Sequence, residues 1–268
     1  MSSSASNTPE VAARQEFALS AARRAGDIIL KYYQQAGLTV ERKRDSSPVT
    51  IADRSAEEFL RREIEREFPG DAILGEEYGE QAGTTGYRWI LDPVDGTKSF
   101  IHGVPLFGTL VGVEYANQCV AGVCHFPALK ETAWGATGLG AWWTQGNEPP
   151  RPARVSAVQN IADALFCFTT VQGFGRIGRS DAFDKFVESA ALTRGWGDCY
   201  GHYLVATGRA EIMVDPLMNP WDIAALIPIV QEAGGCFIDW NGGTSIHSGN
   251  GISVIPELRE AVLNITRA

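Results

Sequence analysis

The stretch Arg88–Phe100, RWILDPVDGTKSF, decides how the chain is read. Trp89, Ile90, Leu91 and Val94 surround Asp92 and Asp95, with Pro93 between the acids and Gly96 after them. The apolar run reads as a buried strand, and Pro93 and Gly96 make a stiff, tight turn at its end. Two carboxylates held in such a turn either bond local amides or grip a cation. On this stretch alone the two readings stand level.

Upstream, Phe17, Ala21, Ala25, Ile28, Ile29 and Tyr32 recur at helical spacing, with Gly37 as a stop. The basic link ERKRDSS leads to a second helix striped by Phe59, Leu60, Ile64 and Phe68, and a loop carrying GEEYGE follows. Downstream, FGTLVGVEY and CVAGVCHF, joined by ANQ, read as an antiparallel hairpin that TAWGATGLGAWW extends. TQGNEPPRPAR is the best boundary between halves. Beyond it, ALFCFTT reads as a strand and DAFDKFVESAAL as a helix. YLVATGRAEIMVD mixes the two, WDIAALIPIVQEAGG is a helix ending in Gly-Gly, and CFIDWNGG and ISVIP are short strands. The pattern argues for a layered α+β sandwich.

The 268 residues carry a net charge of −9, which argues against nucleic acid or an anionic membrane as partner. Cysteines 119, 124, 167, 199 and 236 form no CxxC, and histidines 102, 125, 202 and 247 have no zinc-ligand spacing, so reduced thiols in a cytoplasmic protein are expected. MSSSASNTP has no apolar segment of a secretory signal, and no run approaches the ~18 apolar residues of a membrane span.

Other acids admit plain readings one by one. The pair Glu76-Glu77 reads as solvated, Asp222 as favouring a helix N-terminus, and Asp53 as closing a capping box with Thr50. In order, however, GEE at 75–77, DPVDGT at 92–97, and WDIAA at 221–225 with EAGG at 232–235 form a set. Through them the chain resembles the inositol monophosphatase superfamily of metal-dependent phosphatases, from about Phe17 to its end.

The resemblance implies an αβαβα sandwich with a flexible N-terminus over 1–12. It implies a metal-binding half over 13–146, and a half over 147–268 with the substrate pocket and the last metal ligand. Glu76, Asp92, Asp95, Asp222 and the carbonyl of Val94 would hold two or three Mg²⁺, with Asp92 bridging two. Asp53 and Thr97 would orient and deprotonate the attacking water, with Glu76 in the catalytic set. The amides of Gly96 and Thr97 would bind phosphate, a favourable anion site at a helix start. Metal-activated water would then attack phosphorus in line. Lys43, in a basic link with Arg44, would support a metal or be merely solvated. A homodimer is likewise implied.

The leaving-group side falls in RGWGDCYGHYLVATGRAEIMVDPLMNPWD. Asp198 and Asp215 there point to an alcohol with a positive charge, unless Asp198 caps a helix and Asp215 ends a strand; Asn219 and Arg194 are further contacts. DGTKSFIHGVPLFGTL looks closer to the histidinol-phosphate phosphatase branch than to the inositol branch. L-Histidinol phosphate is therefore expected, ahead of inositol phosphate and other sugar phosphates. A non-catalytic metal- or phosphate-binding relative is the rival class. GFGRIG at 173–178 is read as a Gly-rich loop rather than a dinucleotide site, Trp142 and Trp143 as packing residues, and His102 as an ordinary surface histidine.

Overall fold

A computed structural model describes residues 8–43 and 48–267. Helix α1 (Thr8–Leu30) begins before residue 13, so residues 8–12 of the expected flexible N-terminus are helical, while 1–7 lie outside the described residues. Strands β1 (Glu41–Arg42) and β2 (Pro48–Val49) form a small ribbon ahead of helix α2 (Ile51–Glu67). The T-x-x-D reading holds: the Thr50 amide donates to Asp53 Oδ2 at 2.9 Å and the Ala52 amide to Thr50 Oγ1 at 3.1 Å.

The first sheet is built from β3 (Ala72–Gly75), β4 (Gly79–Gln81), β5 (Tyr87–Asp95), β6 (Gly108–Tyr115), β7 (Gln118–Phe126), β8 (Glu131–Ala136), β9 (Gly140–Gln145) and β10 (Arg151–Pro152). Among the described residues its order is β10-β9-β8-β7-β6-β5-β3-β4. The hairpin expected from FGTLVGVEY and CVAGVCHF is β6–β7. The short helix α3 (Thr97–Ile101) follows β5 directly. The boundary expected after residue 146 falls between β9 and β10, which are hydrogen-bonded neighbours in one sheet.

The second sheet holds β11 (Leu165–Phe168), β12 (Leu192–Arg194), β13 (Ile212–Asp215), β14 (Cys236–Ile238) and β15 (Gly251–Val254), in the order β12-β11-β13-β15-β14. The helices of this half are α4 (Val171–Arg176), α5 (Ser180–Ser189), α6 (Asp198–Ala206), α7 (Pro220–Ala224), α8 (Leu226–Glu232) and α9 (Arg259–Thr266). Gly173 and Phe174 are buried in α4, so the loop expected over GFGRIG is confined to Ile177 and Gly178, which turn beyond the helix end.

Three apolar cores separate five layers. Helices α1 and α2 pack on one face of the first sheet, and α6 to α8 lie between the sheets. The α4, α5 and α9 helices cover the far face of the second sheet through Phe174, Phe186 and Leu263. This is the αβαβα sandwich expected.

A row of glycines sets the middle layer. Gly112, Gly122 and Gly135 stand in register on β6, β7 and β8. A Cβ on Gly122 would sit 2.0 Å from the Ala225 carbonyl oxygen, and one on Gly135 would sit 2.9 Å from Ile229 Cα. The bare strand surface therefore lets the backbone of α7 and α8 descend onto the sheet, which is what interior strand glycines permit. That descent positions Asp222.

Candidate active site

Residues three apart on a regular strand face opposite sides of the sheet. Asp92 pairs with Leu110 and Asp95 with Gly108, so three steps on β5 match two on β6. This bulge re-aims Asp95 to the side of Asp92. Pro93 has no amide for the ladder, and its carbonyl instead accepts from Thr109 Oγ1 at 2.9 Å. The Val94 amide donates to Asp92 Oδ1 at 3.0 Å, and the Val94 carbonyl accepts from Thr97 Oγ1 at 3.0 Å. Gly96 follows with φ of +81°, where a Cβ would meet the Leu106 carbonyl at 2.9 Å, so the turn demands glycine.

Two further elements bring acids to this turn. Strand β3 runs parallel to β5 with Gly75 opposite Leu91, and the Glu76 amide donates to the Leu91 carbonyl at 3.1 Å, which sets Glu76 beside Asp92. Helix α7 opens with Asn219 as its cap and Pro220 in its first turn, and the Asn219 amide donates to Asp222 Oδ2 at 2.7 Å. The capping reading of Asp222 is thus correct, but it is not the whole of that residue's placement. Carboxylate oxygens of Asp92, Asp95 and Asp222 lie within 4.8 Å of one another.

Such crowding is unfavourable for bare carboxylates. Burial, then the charge of Glu76, pushes Asp92 well above the usual carboxylate range; burial, then Asp198, does the same for Asp95. Burial lifts Asp222 and Asp198 to about 6, and Glu76 rises by burial despite Lys43. An all-oxygen set that repels its own charge fits a hard divalent cation, which would restore ionisation. Asp92, Asp95, Asp222, Glu76 and the Val94 carbonyl are the residues that would hold it.

Behind this group, Thr97 Oγ1 also stands 3.4 Å from Asp53 Oδ1, and burial raises the Asp53 pKa. Lys43 Nζ contacts Glu76 Oε1 at 2.7 Å and Glu77 Oε1 at 2.5 Å, so it neutralises the acidic loop; Arg44 lies outside the described residues. A cavity of about 170 Å³ opens over the group, lined by Glu76, Asp92, Val94, Asp95, Gly96, Thr97, Asp198, Asn219 and Asp222, with Pro48 and Lys98. A larger cleft of about 530 Å³, with Asn117, Gln118, Gln231 and His247 in its wall, has one acid, Glu114, already paired to Arg88 at 2.6 Å. The chemistry belongs to the smaller cavity.

On the leaving-group side, Asp198 lines the cavity in a left-handed conformation with φ of +52°, a strain that residues other than glycine rarely carry. Asp215 is buried behind it, and Thr169 joins the two. Its Oγ1 donates to Asp215 Oδ2 at 2.7 Å and accepts from the Asp198 amide at 2.8 Å. Burial, then Asp198, lifts Asp215 to about 7. Arg194 corrects the expectation: on β12, at the sheet edge, it is exposed, donates to its own neighbour's carbonyl at Thr193, and does not line the cavity.

Several supports escaped the sequence reading. Glu57, fully buried in α2, accepts from the amides of Glu77 at 2.7 Å and Tyr78 at 3.2 Å, and so holds the acidic loop. An acid between Ala56 and Leu60 on the apolar stripe was its signal. The Cys199 amide donates to Asp95 Oδ2 at 2.5 Å. A backbone donor leaves no mark on a sequence. His102 is exposed, as read; Trp143 packs on the middle core, whereas Trp142 is 37% exposed.

A family model for the inositol monophosphatase family matches residues 10–266. A histidinol-phosphatase of Chlorobaculum parvum is 45% identical over 237 residues, covering 88% of this chain and 90% of that protein. A histidinol-phosphatase of Mycobacterium tuberculosis is 35% identical over 246 residues, covering 92% and 95%. Among solved structures, the extragenic suppressor protein suhB of Bartonella henselae superposes with a TM-score of 0.84 at 30% identity, covering 94% of this chain and 97% of that one.

Proposed function

The chain belongs to the inositol monophosphatase family and is a phosphatase, and on that premise we propose that it hydrolyses L-histidinol phosphate to L-histidinol and phosphate in a Mg²⁺-dependent reaction. One observation carries the choice of substrate: Asp198 lines the cavity, and Asp215 lies buried behind it, with Thr169 bonded to the Asp215 carboxylate and to the Asp198 amide. Paired acids there suit an ammonium group, whose charge they match, better than a neutral polyol, which offers them hydroxyl hydrogen bonds alone. The histidinol-phosphatases among its relatives support the same reading.

Mg²⁺ held by the carboxylate group supplies a Lewis acid that acidifies water and offsets phosphoryl charge. The chain's own part is positional. Gly96 and Thr97 line the cavity at the start of α3, and their amides, which lack helical partners, would hold phosphoryl oxygens. Thr97 Oγ1 orients the attacking water, takes its proton, and passes its own to Asp53 Oδ1. Asp198 and Asp215 bind the ammonium group, and Asn219 closes the cavity wall beside them. The same proposal includes a place in histidine biosynthesis, a cytoplasmic setting and a homodimer, the last to be read by light scattering.

The deciding experiment is phosphate release from L-histidinol phosphate and from myo-inositol 1-phosphate, with Mg²⁺ and with EDTA. A large chelator-sensitive preference for histidinol phosphate is expected. A preference for the inositol ester would overturn the substrate and keep the metal chemistry.

A further inference from the structure

The second sheet ends in an apolar rim outside the cavity's own lining, reached from Asp198 through Gly197, and the metal chemistry gives it no role. Strand β11 runs parallel between β12 and β13, with Cys167 opposite Arg194 and Phe168 opposite Val214. Continuing both ladders sets Thr169 between Trp196 and Asp215. The contacts agree: Thr169 bonds Asp215 at 2.7 Å, and a Cβ on Gly197 would lie 2.2 Å from Thr169 Cα. The C-terminal edge of adjoining parallel strands is where open α/β sheets take ligands. With strands ~4.8 Å apart, the Trp196 backbone stands roughly 10 Å from that of Asp215.

Each of these three strand ends carries an exposed apolar side chain. Trp196 is 39% exposed, Leu217 46% and Val171 49%. Trp142 is similarly exposed but donates Nε1 to the Leu139 carbonyl at 3.2 Å. Trp196 has no hydrogen bond or ring contact among the described residues, and belongs to none of the three cores. Glycines on both sides, Gly195 and Gly197, leave its indole uncovered by its neighbours.

We propose that Trp196, flanked by Leu217 and Val171, is the specificity wall that stacks on the planar heteroaryl end of an amine-bearing phosphate ester. This inference rests on the substrate reading above. With the ammonium group held at Asp198 and Asp215, the rest of the leaving group extends over the ends of β11 and β12. The rim offers a flat apolar face there and no side-chain acceptor from these three residues. A polyol would find there only the Trp196 indole N–H as a side-chain partner, whereas an aromatic ring stacks on its face, and a charged imidazole gains a cation–π contact as well.

The test compares wild type with Trp196→Ala, Trp196→Phe and Leu217→Ala on L-histidinol phosphate, on ring-free phosphoethanolamine and on myo-inositol 1-phosphate. Trp196→Ala should raise KM for histidinol phosphate about tenfold, the size of a lost aromatic contact, with kcat within about twofold. The other two esters should be unaffected, and Trp196→Phe should recover most of the loss. L-Histidinol should quench tryptophan fluorescence in wild type and much less in Trp196→Phe. If Trp196→Ala does not fold, Leu217→Ala should show a smaller loss with the same substrate selectivity. Equal losses on all three esters, or none on histidinol phosphate, would overturn the wall while a wild-type preference for histidinol phosphate left the substrate reading intact. A wild type that prefers the inositol ester would overturn both.

Discussion

Asp95 shows how much one side chain depends on its surroundings. Its carboxylate is shared between the cluster and the Cys199 amide, and asparagine in its place would keep the size and lose the charge. Asp95→Asn is expected to lower hydrolysis by at least about a hundredfold while the circular dichroism spectrum stays unchanged. Near-normal turnover would remove Asp95 from the site. The acids themselves were legible because residue type and order survive in the sequence. Their company was not: the bulge that turns Asp95 toward Asp92 is a property of pairing with β6, which no residue near Pro93 announces.

Two elements carry the site as rigid bodies. Helix α2 presents Asp53 and Glu57 on one face, since positions four apart align, and so supports both Thr97 and the acidic loop. Glu57→Gln should weaken Mg²⁺ affinity about tenfold to a hundredfold, read from the metal dependence of the rate, because the Glu77 and Tyr78 amides lose a charged acceptor. An unchanged affinity would mean that the loop holds itself. The descent of α7 and α8 onto the glycine row makes a second prediction. Gly122→Ala should destabilise by about 1–3 kcal/mol or more and lower the melting temperature by several degrees, with Mg²⁺ affinity falling as Asp222 is displaced. A melting curve that superposes on wild type would show that the layers give way freely. Helices α1, α2 and α5, the α7–α8 segment and the β6–β7 hairpin were readable from periodicity, whereas α3, α4 and α9 were not. Strand β3 was not either, because four residues of alternating burial are too short to show a period, and GFGRIG misled because its first four residues are helical, with Gly173 packed inside α4.

Across the whole molecule, the acids set how stability varies with pH. Asp215 at about 7, and Asp198 and Asp222 at about 6, lie above the ~3.9 of an unfolded carboxyl, so the folded state binds these protons more tightly. The stability they contribute is full below the unfolded value and is lost as pH rises through the folded one. His125, lowered to about 4, and His202, lowered to about 3, slope the opposite way below ~6.5. The increment in melting temperature from EDTA to Mg²⁺ cancels the histidines, and it should be larger near pH 8 than near pH 6, because protons compete for the same oxygens. An increment that shrinks as pH rises would contradict the placement of the cation among these acids.

At this scale the sequence said least. Leu226, Ile227, Pro228, Ile229 and Val230 are all buried, and a helix apolar all round declares that it is interior, but not which surfaces enclose it. Only the assembled chain shows that α8 touches both sheets.

That shared middle layer has a practical consequence. Residues 145–150 are exposed, whereas the material on either side of them meets across an apolar interface and through β9 and β10. A protease nick in this loop should yield two pieces that migrate together until denatured. Expressed apart, each piece would present an uncovered apolar surface and aggregate; expressed together, they should reassemble. The enzyme is then divisible into a complementing pair, in which phosphatase activity reports that the two fragments have met.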